Sequence, residues 1–378
     1  MSTISKTLVV GGGIGGLTAA IALRQTGIAV DLVEIQADWT VYGVGIIQPN
    51  NTLRALDKIG LAQACVERGG AFPGWRLYDA EGNALFDAVG TNDAAPQFPP
   101  NNGIPRPVLH KLLCDRAAAV GVAARLGVTY ETLEPDEDCV AVSFTDGSEH
   151  VYDLVVASDG LYSKTRELLF PDAPRPHFNG QGVWRYNMPR PADMEWGEVH
   201  SSERVKVGLV PMSPTLMYMF VVTDRVDISR DDPTLATAMR AHLSGFTGPI
   251  SALAELIVDP KGVVYRPMES VLLEPSWHKG RVIIIGDGAH ATTPHLAQGA
   301  AMAIEDGVLL AEMLTGQGTV DEILRAFTAR RLPRARYVLD SSLQISTWEM
   351  EKWRGIENPD ANPGMLLGQA THKLMEAY

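Results

Sequence analysis

Cysteine is scarce in this chain. Only Cys65, Cys114 and Cys139 occur in 378 residues, odd in number, far apart and without a C-x-x-C pair. Neither a disulfide framework nor a thiolate metal cage is indicated, no metal is expected, and a reducing cytoplasm is the simple reading. Positive charge is also short: 32 Lys+Arg stand against 45 Asp+Glu, a formal net charge of −13, and no Lys/Arg-rich stripe offsets it. Nucleic acid and anionic membrane surfaces are therefore poor partners. No stretch has the length of apolar sequence that spans a bilayer. Met1–Lys6 followed by Thr7–Leu23 has the outline of a secretory signal, but five glycines inside it would weaken the required helix. Internal repeats and low-complexity segments are missing too. With 46% apolar and 20% charged residues, the chain reads as globular, and its length suggests two domains.

Glycine, by contrast, is plentiful at 36 residues, and its placement organises the rest. Thr7–Val10 is a short β-branched run suited to a buried parallel strand. Leu17, Ala20 and Ile21 then recur at helical spacing, Gly27 stops the helix, and Val30–Val33 forms a second strand ending at Glu34. This is a βαβ unit. Gly45–Gly60 should include a helix, Phe86–Gly103 reads as a loop, and Pro107–Val120 as a helix. Cys139–Phe144 and Val151–Ala157 read as strands joined by the turn Thr145-Asp146-Gly147-Ser148. Strands then dominate, at Gln181–Tyr186, Val205–Val210, Leu216–Thr223 and Val263–Arg266, with a helical patch over Thr234–Ile257. Arg281–Ile285 is again a buried strand, followed by helix Gly299–Leu314 and the mostly helical Asp321–Lys352. An α/β pattern appears, is interrupted by β-rich sequence, and resumes.

Gly11-Gly12-Gly13-Ile14-Gly15-Gly16 fits G-x-G-x-x-G between a strand and a helix. Gly11 would make the tight turn, Gly13 would let a pyrophosphate approach the backbone, and Gly16 would let helix and strand pack closely. The helix N-terminus offers free N–H groups to the phosphates. Glu34 lies 18 residues past Gly16, where a carboxylate would accept ribose hydroxyls and favour the unphosphorylated ribose of FAD or NAD. Two later segments bear on that choice. One is D-L-V-V-A-S-D-G-L-Y-S-K-T-R, Asp153–Arg166; the other runs from Arg281 to Asp306, its apolar strand ending in Gly286-Asp287. Asp287 would project at the C-terminal edge of the sheet, where a polyol such as ribityl needs an acceptor. Gln298-Gly299-Ala300 opens a helix whose N–H groups can face an electron-rich ring edge.

These three segments, in this order, resemble the single-component (class A) FAD-dependent aromatic monooxygenases of the p-hydroxybenzoate hydroxylase fold. The run Ala297–Asp306 looks most like the branch that holds salicylate hydroxylase and 6-hydroxynicotinate 3-monooxygenase. The resemblance implies an α/β fold: a Rossmann-type FAD-binding domain with an inserted β-rich substrate domain and C-terminal helices. Residues 1–75, 100–178 and 276–320 would form the FAD domain, 76–99 and 179–275 the substrate domain, and 321–378 the helical end. It further implies non-covalent FAD, with Gly11, Gly13, Ile14, Gly15, Gly16, Glu34, Gly45, Ile46, Arg106, Tyr130, Asp159, Asp287, Pro294, Gly299 and Ala300 as cofactor-binding residues. The Asp159-Gly160 segment would serve both FAD and NAD(P)H, and Arg106, in Ile104-Pro105-Arg106-Pro107-Val108-Leu109, would touch the flavin. Gly288 and Pro107 depart from the family's usual residues.

The chemistry so implied is hydroxylation of an electron-rich aromatic or hydroxypyridine-type small molecule, with or without loss of a carboxylate. NADH or NADPH would dock transiently, because only one dinucleotide fingerprint is present. O2 would add at flavin C4a and its distal hydroxyl pass to the ring, in a site that excludes water. A base near the substrate hydroxyl would help, and His295 is the preferred candidate; the alternative is a histidine that caps a loop. His290, in Gly-Asp-x-Ala-His, reads as a loop-holding residue. In Leu216–Phe220 alternation sets Tyr218 opposite Met217 and Met219; either face could line a pocket, and the Tyr218 hydroxyl could bind a substrate oxygen. Arg185 could hold a carboxylate or make a surface ion pair. A monomer or homodimer is expected. Rival readings are a flavin reductase on the same scaffold, a catalytically silent flavin-binding protein, and a plain NAD-dependent dehydrogenase, which would leave Asp159 and Asp287 without a role.

Overall fold

A computed structural model describes residues 4–39, 41, 43–229 and 231–378. Met1–Thr3, part of the signal-like outline, lie outside the described residues. The chain opens as β1 (Lys6–Val10), α1 (Ile14–Gln25) and β2 (Ala29–Glu34). Then come β3 (Gly45–Pro49), α2 (Asn50–Lys58), α3 (Ala62–Arg68), β4 (Gly70–Phe72), β5 (Gly74–Asp79), β6 (Ala84–Val89), β7 (Asn101–Pro105) and α4 (Arg106–Ala119). The next stretch holds β8 (Ala123–Leu126), β9 (Tyr130–Pro135), β10 (Val140–Phe144), β11 (Glu149–Tyr152), β12 (Leu154–Ala157) and α5 (Lys164–Leu169). Long strands follow: β13 (His177–Pro189), β14 (Gly197–Ser201), β15 (Lys206–Pro211) and β16 (Leu216–Asp224), then α6 (Leu235–His242), α7 (Gly248–Ala254) and β17 (Val264–Ser270). The chain closes with β18 (His278–Lys279), β19 (Val282–Ile284), α8 (Asp287–His290), α9 (Gly299–Leu314), α10 (Val320–Trp353) and α11 (Pro363–Leu374).

A six-stranded sheet of order β18-β19-β12-β1-β2-β8 is parallel except at β18. Its strands β1, β12 and β19 are almost wholly buried, with α1 packed on them and the β9–β11 sheet sharing their core. A seven-stranded sheet of order β17-β13-β16-β15-β14-β5-β6 is antiparallel apart from the β14–β5 pair. Its strands alternate: Met217, Met219 and Val221 join a second core with Trp184 and residues of α6 and α7, while Tyr218, Phe220 and Val222 face a large cavity. The alternation in Leu216–Phe220 is thereby resolved, with the methionines in the core.

Two sequence expectations fail, each for a physical reason. Phe86–Gly103 is not all loop, since β6 and β7 occupy its ends. β6 is an exposed edge strand, and β7, Asn-Asn-Gly-Ile-Pro, lacks any β pattern and is a strand only because β3 and β4 pair with it. Val151–Ala157 is two strands, not one, divided at Asp153. Its carboxylate accepts the Ser5 and Lys6 N–H groups at 2.7 and 2.8 Å, turning the chain from the hairpin into the parallel sheet.

Candidate active site

The glycine turn follows from steric limits. Gly11 has φ +102°, and a Cβ there would fall 2.3 Å from the Ser158 carbonyl oxygen; one at Gly16 would fall 1.9 Å from the Gly11 carbonyl. A Cβ at Gly13 would meet nothing within 4 Å, because that residue opens onto the cavity. No side chain caps α1, so its first N–H groups are left for a ligand. Glu34 sits at the tip of β2, where its carboxylate accepts from Gly12 N at 2.7 Å and Gln36 N at 2.9 Å. It borders a small side cleft shared with Gly13 and His110. His110 pairs with the Gly12 carbonyl at 2.8 Å and was not singled out from sequence. Its position one turn after Arg106 on the same face of α4 was the available signal.

Beyond the turn lies a cavity of about 2090 Å³, far above the ~300–1,000 Å³ typical of one small ligand. Gly13, Ile14, Gly15, Gly45, Ile46, Arg106, Asp287, Pro294, Gly299 and Ala300 all line it. Arg106 opens α4; burial lowers its pKa, offset in part by Asp287, and its Nε is buried without a hydrogen-bond partner. α9 likewise starts without a side-chain cap. Asp159 stands just behind the lining: one carboxylate oxygen accepts from Thr165 N and Oγ1 at 3.0 and 2.9 Å, while the other is buried and unpartnered. Two uncapped helix starts, an orphaned guanidinium N–H and an orphaned carboxylate oxygen around one long cavity fit a dinucleotide flavin.

Tyr130 is placed differently from the other expected cofactor residues. It does not line the cavity; the alternation of β9 turns its ring into the core, and its hydroxyl lies 3.0 Å from Thr165 Oγ1. It supports the Asp159 loop from behind. His290 holds its loop as expected, 2.6 Å from Asp306 Oδ2, which also accepts Gly286 N–H at 2.9 Å.

On the other side of the cavity, the seven-stranded sheet presents Arg185 and Tyr218. A Cβ on Gly45 would fall 2.2 Å from the Tyr218 ring, so β3 passes directly beside it. Burial pushes the Tyr218 hydroxyl up to about 12 against the pull of Arg185 and Arg106, so it is neutral. Burial brings Arg185 down to about 10, still charged at neutral pH. Among the described residues no acidic side chain pairs with Arg185, which lines the cavity rather than the surface. Its surface-ion-pair reading is thus set aside.

His295 lies in the same lining with its side chain 1% exposed. Nδ1 is 2.9 Å from Thr293 Oγ1. Nε2 is 3.3 Å from Glu349 Oε2 but off the line of a good hydrogen bond, so that contact is chiefly electrostatic. Burial lowers the His295 pKa, and Glu349 opposes it. Burial would raise Glu349, but Lys206 and His295 overcome this and hold it well below the carboxylate range. Glu349 also accepts from Gln181 Nε2 at 3.0 Å and pairs with Lys206. Thr293, Glu349 and Lys206 went unnoticed in the sequence, since three distant segments supply them.

Residues 5–342 match the family model described as FAD binding domain. YetM of Bacillus subtilis, provisionally named an FAD-dependent monooxygenase, is 33% identical over 375 residues, covering 98% of this chain and 99% of that protein. The 3-hydroxybenzoate 6-hydroxylase of Polaromonas naphthalenivorans is 30% identical over 349 residues, 88% of this chain and 86% of the relative. The crystal structure of Klebsiella pneumoniae HpxO complexed with FAD and uric acid shares the fold, with TM-score 0.84 at 23% identity over 98% of this chain and 96% of that one. The α/β flavoprotein-hydroxylase fold expected from the sequence is the one found. Among the described residues no helix is long and apolar enough to cross a membrane.

Proposed function

This chain belongs to the FAD binding domain family and is an FAD-dependent monooxygenase, and from that premise we propose that it hydroxylates acidic, electron-rich aromatic or heteroaromatic rings with NADH or NADPH and O2. The observation that carries the substrate class is Arg185, a guanidinium in the cavity that has no acidic partner among the described residues. A ring carboxylate or enolate would supply that partner in a desolvated site, where charge-assisted bonds are strongest. Substrates named for relatives agree in kind: a hydroxybenzoate for one, and uric acid bound to another.

Bound FAD supplies electron transfer and oxygen activation. The flavin would rest on Arg106, Asp287, Pro294, Gly299 and Ala300, its pyrophosphate on Gly13–Gly16, and its ribose near Glu34. The neutral Tyr218 hydroxyl would donate to a substrate oxygen. Thr293 and His295 would form a proton path: the Thr293 hydroxyl takes the ring O–H proton and passes its own to His295 Nδ1. Glu349 positions the imidazole from the opposite side.

The test is a screen of the FAD-loaded enzyme with phenols, hydroxypyridines and aromatic acids, following NAD(P)H oxidation together with oxygen uptake. Acidic rings should stimulate both. Arg185→Gln should weaken their binding about ten- to hundred-fold, the worth of a charged hydrogen bond, and touch neutral phenols little. Equal losses for acidic and neutral rings would remove Arg185 from recognition. NAD(P)H oxidation without oxygen uptake would point to a reductase instead.

A further inference from the structure

One cross-strand row of the seven-stranded sheet leads away from Arg185. The pairing register runs Arg185, Phe220, Gly208, Val199, Leu77 and Phe86, crossing from β13 to the edge strand β6. Every side chain in this row lines the cavity, and only Arg185 is polar. The space that a Gly208 side chain would take is filled by the Phe220 ring, since a Cβ there would fall 2.0 Å from Cζ, so an apolar ring face replaces it in the row.

The rows on either side also border the cavity but are partly covered. Tyr218 and Val210 pack with Phe72 and Met212, and Val183 and Val222 are covered by Met350 and Trp353 at the end of α10. Between them the open row spans four strand spacings from β16 to β6, about 19 Å at ~4.8 Å each. It ends at an apolar edge, where Phe86 and Val89, both in the cavity lining, are 53% and 76% exposed. The start of α11 roofs that end, since a Cβ on Gly364 would touch the Phe86 ring at 3.9 Å. Edge strands are ordinarily blunted by charge, and an apolar mouth continuous with a ring site calls for an apolar occupant.

We propose that this trough seats an alkyl substituent of the substrate. The ring's acidic group lies at Arg185, and its tail runs along the Phe220 ring, Val199 and Leu77 toward Phe86. The inference rests on the ring reading above and adds that the physiological ring carries a long apolar chain.

The experiment is isothermal titration calorimetry on the FAD-loaded enzyme with two ligand series. One consists of 2-hydroxybenzoates bearing ring alkyl groups from methyl to dodecyl; the other consists of straight-chain carboxylates with no ring. In both, the dissociation constant should fall about three- to four-fold per added methylene until the tail reaches the sheet edge. Leu77→Trp, in protein that still carries FAD, should end that gradient at short tails; Val199→Phe on the neighbouring strand gives the same test if the first variant does not load. A dissociation constant independent of chain length, as expected if a partner chain covers the trough, would overturn the proposal. A gradient in the carboxylates with no binding of any hydroxybenzoate would retain the trough and overturn the ring reading.

Discussion

At the residue scale, the glycines of the first turn separate by what they meet. Gly16 is glycine for the protein's own sake, because any side chain would strike the Gly11 carbonyl. Gly13 faces open space, so only a ligand gives it a reason to lack a side chain. Gly13→Ala should therefore leave the melting temperature of the apoprotein unchanged while cutting FAD retention on purification. Gly16→Ala should lower both, and flavin absorbance with thermal unfolding checks the pair. The motif made this turn legible in sequence, since the spacing of six residues encodes a local backbone path. Arg185 was only half legible. Its residue type allowed a carboxylate clamp or a surface pair, and burial, a property of the folded sheet, selected between them.

At the scale of elements, α10 does more than close the fold. Thr319 and Glu322 form a capping box that starts it, and its helical extent was readable from periodicity. What periodicity did not show is that Glu349 on its last turns reaches His295, while Lys206 arrives from β15. If His295 accepts the substrate proton, its neutral form is the active one and the acid limb of kcat/KM reports its pKa. Glu349 raises that pKa, so Glu349→Gln should move the acid limb to lower pH and reduce kcat by about ten-fold or more. His295→Ala should abolish the limb and cut substrate-stimulated NAD(P)H oxidation while FAD stays bound. An unshifted profile in Glu349→Gln would mean the pair is only structural.

At the scale of the molecule, a buried ionic network ties the last helices to the flavin loop. Arg331 pairs with Asp306 at 2.7 Å and with Glu305 at 2.9 Å, all three side chains wholly buried. Asp306 also meets His290 and Gly286, and Glu305 meets Asn51 and Arg334. Burial alone would raise the Asp306 carboxyl, but His290 and Arg331 bring it down to about 2. A carboxyl depressed in the folded state adds stability above its unfolded pKa of about 4, lost as pH falls toward 2. Urea unfolding of the FAD-loaded enzyme should thus show stability dropping between about pH 4 and 2. Asp306→Asn should flatten that drop and cost about 3–5 kcal/mol at neutral pH, because it leaves Arg331 short of a buried partner.

The sequence by itself determined the glycine turn, the strands β1, β2 and β19 of the parallel sheet and the helices α9 and α10. These are set by local sterics and by periodicities of two and 3.6 residues, which a single segment carries within itself. The tertiary structure alone decided that Asn101–Pro105 is a strand, that Tyr130 stands behind the site, and that Thr293, His295, Glu349 and Lys206 meet. Pairing partners and burial come from segments far apart in the chain, so no local pattern records them. The scarcity of cysteine and of positive charge set expectations about partners and compartment and no more. It took the cross-strand register of a folded sheet to align Arg185 with an apolar row leading to Phe86.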